Sequence, residues 1–102
     1  MKRLSHWASA MLLASFAMAV PSAHADELQV KLWAAACATC HGTNGHAVGA
    51  NVRLAGADAK TTLDSLLAHK RGERQGTIMH QIAKGYTDEQ LAQIAAYFAA
   101  QK

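Results

Sequence analysis

Cys37-Ala38-Thr39-Cys40-His41 is the one run in the chain whose residue types and spacing dictate a chemistry. In a C-x-x-C-H motif each thiol can add to one vinyl group of haem, giving two thioether links. Two intervening residues let one turn of backbone match the separation of the vinyls. The following residue, His41, then lies under the iron and can supply an axial nitrogen. Cys37 and Cys40 are the only cysteines of the chain. A structural zinc site normally takes four ligands, often as two such pairs. No second pair exists, and zinc would have to recruit His46, His69 or His80 at no recognised spacing. A thioredoxin-like dithiol needs a βαβ context, and no strand-like alternation is present to build one. A plain disulfide accounts for the cysteines but gives His41 no role. Haem is the reading preferred, ahead of a dithiol or disulfide, with zinc third.

A haem held by His41 has a second iron face. A thioether there, opposite an imidazole, favours reduced iron and raises the potential. Met79 is the only methionine after position 25, and it lies 38 residues beyond His41. A chain returning after a second helix could place it over the opposite face. Filling the core is the usual occupation of methionine, so ligation competes with that plainer role. His80 adjoins Met79 and is expected to point elsewhere on the turn. His69 falls off the leucine pattern and reads as solvated, and His46 reads as a surface residue of a glycine-rich loop. With His41 and Met79 both bound, iron would have six ligands and no open position for a substrate, which favours outer-sphere electron transfer over catalysis.

The segment before the motif sets where this happens. Lys2 and Arg3 precede an apolar stretch from about Ala8 to Val20, closed by Pro21, Ser22 and an Ala23-His24-Ala25 cleavage site. This is the form of a secretory signal peptide, too short to span a bilayer comfortably. The Lys-Arg pair is no twin arginine, so the general export route is expected. The expected division is therefore 1–25, a cleaved signal, and 26–102, one small domain located in the periplasm with no membrane span. The formal charge of +3 falls to +1 once Lys2 and Arg3 are gone. Haem propionates would turn that slightly acidic, so the basic sequence gives no reason to expect nucleic-acid or membrane binding. An apolar core of this size is marginal without a staple. A covalently fixed haem supplies one, and the haem-free chain is expected to be largely unfolded.

Helices must position these groups. Leu28, Leu32 and Ala36 recur every four residues beside Val30, Trp33 and Cys37, with Asp26 and Glu27 at the start where acids suit the helix dipole. That predicts a helix over 26–38 running into the motif. From Gly42 to Ala57 the periodicity stops, and Gly42, Gly45, Gly49 and Gly56 punctuate a loop that reads as wrapped against a flat surface. Asp58 is placed to cap a helix over 59–69 with Leu63, Leu66 and Leu67 as its buried stripe. Lys70-Arg71-Gly72-Glu73-Arg74 makes a charged turn that could form a docking rim. Ile78, Met79, Ile82 and Ala83 predict a short third helix ending at Gly85 as a C′ glycine. Thr87-Asp88-Glu89-Gln90 is a capping box opening a last helix with Leu91, Ile94, Ala95 and Phe98 on one face and Tyr97 beside them. The expected fold is all-α: four short helices around one haem c.

Together these residues resemble the class I c-type cytochromes over nearly all of 26–102. The resemblance rests on the first helix, Cys37/Cys40/His41, Leu54-Ala55-Gly56, Met79 and the aromatic last helix around Tyr97. It implies that the first and last helices cross and pack, with Leu32 and Trp33 meeting Ile94, Tyr97 and Phe98. Arg71-Gly72-Glu73-Arg74, the run from Met79 to Gln90 and the ending from Ala96 to Lys102 are further similar to the haem subunits of flavocytochrome c sulfide dehydrogenases. That likeness implies a flavoprotein partner carrying FAD, which oxidises sulfide and hands over electrons one at a time, and other redox proteins as acceptors. The competing readings are a freely diffusing cytochrome c and, from a different class, a haem enzyme with an open iron site. One departure stands out: such cytochromes often carry a proline just before Leu54-Ala55-Gly56, whose carbonyl holds the proximal histidine. Here Val52 or Arg53 occupies that neighbourhood, and a backbone carbonyl there could still accept from His41 Nδ1.

Overall fold

The computed structural model describes residues 26–102, so the expected signal peptide lies outside the described residues. Among the described residues four α-helices follow one another: α1 (Glu27–His41), α2 (Ala59–Lys70), α3 (Met79–Ala83) and α4 (Asp88–Ala99), with a single 3-10 turn at Thr43–Gly45 after α1. No strand occurs among the described residues.

The caps expected at Asp58 and Thr87 are present, and Asp26, read as the first helical residue, is the N-cap of α1. Asp26 accepts from the Gln29 amide at 2.8 Å, and Asp58 accepts from the Thr61 amide at 2.9 Å and from the Thr61 hydroxyl at 3.0 Å. Thr87 and Gln90 close the reciprocal box at 3.1 and 2.9 Å. Each satisfies backbone donors that a helix start otherwise leaves unpaired.

Three local expectations need correction. α1 does not stop at Ala38 but carries the whole motif, because Gly42, with φ +83°, is the first residue to leave the helical region. Gly85 does follow α3, but its φ is not positive, so it ends the helix without a left-handed cap. On α2 the buried position is Thr62, while Leu63, Leu66 and Leu67 are half-buried.

The core forms where α1 meets α4. Ala34, Ile94 and Phe98 are 1–2 % exposed, with Trp33, Cys37, Leu54, Tyr86 and Tyr97 packed around them. The expected partner Leu32 is instead 60 % exposed, and Leu28 is 65 % exposed. At 100° per residue the every-four stripe of Leu28, Leu32 and Ala36 lies opposite the face of Trp33, Ala34 and Cys37. The small side chain at Ala34 lets the two helices approach. α2 packs against both α4 and α3. Lys70 spans α2 to α4, donating to the Tyr86 carbonyl at 2.8 Å and pairing with Asp88 at 2.7 Å.

Candidate haem-binding site

Cys37 and Cys40 sit three residues apart in the last turns of α1, so both thiols project to one side of it. Both are free. Cys37 is half-buried and Cys40 exposed. Burial pushes the Cys37 thiol above its usual value, a rise that its backbone hydrogen bond only partly opposes. His41 is the final residue of the same helix. Its Nδ1–H donates to the Val52 carbonyl at 2.7 Å. That bond fixes the tautomer and leaves Nε2 as the free, basic nitrogen of the ring. The sequence left the acceptor open between Val52 and Arg53; it is Val52. No proline is needed, since the carbonyl alone makes the contact.

The loop beyond His41 is built to bring Val52 there. At Gly42 a side chain would run into the His46 carbonyl. Gly45, buried and at φ +81°, accepts through its carbonyl from the amides of Leu54 and Ala55 at 2.9 and 3.0 Å, folding the 46–55 segment back on itself. Asn44, at φ 52°, accepts from the Tyr97 hydroxyl at 2.8 Å, tying this loop to α4. His46, read as a surface residue, is half-buried in the loop.

Met79 opens α3 and is half-buried. The eight residues before it, 71–78, are all exposed. His80 Nδ1 is buried and has no hydrogen-bond partner among the described residues. His69 is not simply solvated: its Nδ1–H donates to the Arg74 carbonyl at 3.1 Å. The expected basic rim is also largely engaged. Lys70 is bound to Asp88 and Tyr86, Arg71 lies 3.9 Å from Asp88, and Arg74 donates to the Ser65 hydroxyl.

The donor set fits a c-type haem. Two vinyl-reactive thiols lie on one helix face, an imidazole has one nitrogen tied and the other free, and a half-buried thioether opens α3. Val48, Val52, Ile78 and Ile82, all on the segments flanking His41 and Met79, are exposed large apolar residues suited to covering a porphyrin. Among the described residues no three His, Cys, Asp or Glu side chains gather as a metal-binding group, which leaves the zinc reading without support.

An all-α fold with a C-x-x-C-H helix end, a returning methionine segment and packed first and last helices defines the class I c-type cytochromes. Residues 30–102 match the sequence pattern of the cytochrome c family, described as "Cytochrome c". The chain belongs to that family, and its cofactor is covalent haem c, for which Cys37 and Cys40 have the spacing. It is 34 % identical over 99 residues to the cytochrome subunit of sulfide dehydrogenase of Chlorobaculum tepidum, an alignment covering 89 % of this chain and 90 % of that protein. It is 36 % identical over 70 residues to cytochrome c-554(548) of Halomonas halodenitrificans, covering 65 % of this chain and 84 % of the relative. It is 42 % identical over 65 residues to the thiosulfate dehydrogenase electron acceptor of Stutzerimonas stutzeri, covering 62 % of this chain and 30 % of that longer protein. These relationships place the chain among the electron-transfer cytochromes. No helix among the described residues is long and apolar enough to cross a membrane.

Proposed function

We propose that residues 26–102 form a periplasmic one-haem electron carrier, with thioethers at Cys37 and Cys40 and with His41 and Met79 holding the iron from its two faces. We further propose that it works as the haem subunit of a flavin-containing sulfide dehydrogenase. Haem supplies a one-electron iron couple when bound. His41, tied through Nδ1 to a main-chain carbonyl, presents Nε2 at a fixed angle. Met79 contributes a neutral, soft donor that stabilises the reduced metal. Neither side chain has a proton to gain or lose when an electron arrives, and neither has to rearrange.

The observation that carries the partner reading is the 34 % identity to a sulfide dehydrogenase cytochrome subunit across 90 % of that protein. The engagement of Lys70 and Arg74 within the chain supports it too, since a freely diffusing carrier draws on mobile surface charge for steering. The similarity to cytochrome c-554(548) favours the second reading, a carrier without a fixed partner.

Three experiments decide. Oxidised wild-type protein is expected to show the weak sulfur-to-iron charge-transfer band, and Met79→Ala to lose it; identical spectra would remove Met79 from the iron. Gel filtration of protein purified from its source is expected to show co-elution with a yellow, sulfide-reducible flavoprotein. A lone small haem protein would transfer the assignment to the free carrier. Carbon monoxide binding by the native reduced protein would instead revive an open-site enzyme.

A further inference from the structure

Against the polypeptide itself, the segment that delivers Met79 buries almost nothing. Residues 71–78 are all exposed, and α3, which they lead into, is five residues long with no side-chain cap at its start. The segment is held to α2 by a few specific contacts. The amides of Glu73 and Arg74 both donate to the Ala68 carbonyl, at 2.9 and 3.2 Å. The Arg74 guanidinium reaches the Ser65 hydroxyl. The last hydrogen bond from α2 before Met79, among the described residues, is the one from His69 Nδ1–H to the Arg74 carbonyl at 3.1 Å. The same ring then lies against Gly76. A Cβ placed on that glycine would sit 3.0 Å from His69 Cε1, 3.4 Å from His69 Nδ1 and 3.7 Å from Met79 Cβ. A side chain at Gly76 would therefore press on the His69 ring, close to the first atom of the Met79 side chain.

We propose that His69 is a positioning residue for the distal ligand: by holding the Arg74 carbonyl and backing Gly76, it fixes where the chain enters α3 and so keeps the Met79 thioether on the iron. This rests on the reading of Met79 as that ligand. A thioether is a weak donor to oxidised iron, so its bond depends on being held in place, and slack in residues 75–78 translates into dissociation. Loss of the His69 contact would favour any external ligand that competes for the same coordination position.

The test uses the purified oxidised holoprotein, with imidazole as the competing ligand and the charge-transfer band as the readout. His69→Ala is expected to weaken the band and tighten imidazole binding about tenfold, the scale of one lost hydrogen bond. His69→Asn, whose side-chain amide can donate from nearly the same point, is expected to recover most of that loss. Gly76→Ala places a methyl 3.0 Å from His69 Cε1 and is expected to reproduce the His69→Ala phenotype in a chain that keeps its histidine, so the test stands even if His69→Ala fails to fold. Met79→Ala is the control. If it abolishes the band while His69→Ala and Gly76→Ala both match wild type in band and imidazole affinity, the positioning role is overturned and ligation stands. If Met79→Ala itself leaves band and affinity unchanged, the ligation reading has failed first. Equal weakening in His69→Ala and His69→Asn, with Gly76→Ala at wild-type values, would also overturn the proposal.

Discussion

A methyl group at position 45 would lie 2.7 Å from the Ala55 nitrogen and 2.8 Å from Phe98 Cδ1, on a residue whose φ is +81°. Crowding and left-handed backbone add, so Gly45→Ala is expected to destabilise the holoprotein by roughly 2–4 kcal/mol in denaturant titration. Because Gly45 also carries the hydrogen bonds that turn the chain toward Val52, the variant should lower the reduction potential as well. An unchanged potential would separate this loop from the iron. At this scale the sequence is legible where the chemistry is local. Cys37, Cys40 and His41 are recognisable because five consecutive residues contain the whole signal. His69 is not, because its partners Arg74 and Gly76 reach it through a turn whose shape no single residue announces. A glycine two residues beyond a charged turn is the only hint, and without the turn's geometry it does not point to a histidine.

At the scale of elements, side chains that act within one turn were readable, and those that act between helices were not. Asp26, Asp58 and Thr87 bond amides three residues ahead, so their capping roles follow from order alone. Leu28 and Leu32 looked like a core stripe because spacing identifies a face without saying which face is covered. Ala34, the residue that actually allows α4 to approach, is too small to stand out in a pattern. The Lys70–Asp88 contact between α2 and α4 likewise has no sequence signature. The Lys70 ammonium holds the Asp88 carboxyl below its ordinary value of 3.8. A lowered folded value means that the pair's contribution is complete above that ordinary value and fades as the pH falls through the lower folded one. Wild type is therefore expected to be more stable than Asp88→Asn at neutral pH, with the gap closing in acid and narrowing in high salt, since the carboxyl is exposed. Thermal melts of both proteins across pH check this. A gap that persists below the acidic limb would assign the effect to something other than the pair.

The domain is small, and among the described residues the buried large side chains are few: Phe98 and Leu91 are the bulkiest that are fully covered. Such a core is too slight to carry the fold alone. The haem-free chain is expected to lack a cooperative thermal transition by circular dichroism, and the holoprotein to show one; a sharp transition in the apo form would mean that the helices support themselves. The overall plan was legible because four helical segments with clear punctuation and one haem motif leave few ways to assemble, whereas the pairing of individual faces depends on shape. One consequence concerns the order of events during folding. The residues that close the core, Ala34 from one end and Ile94 and Phe98 from the other, are separated by most of the chain. Until the last helix emerges, Trp33, Ala34 and Cys37 have nothing to pack on. The Cys37 thiol thus stays uncovered by α4, and open to haem, for as long as that helix has not docked.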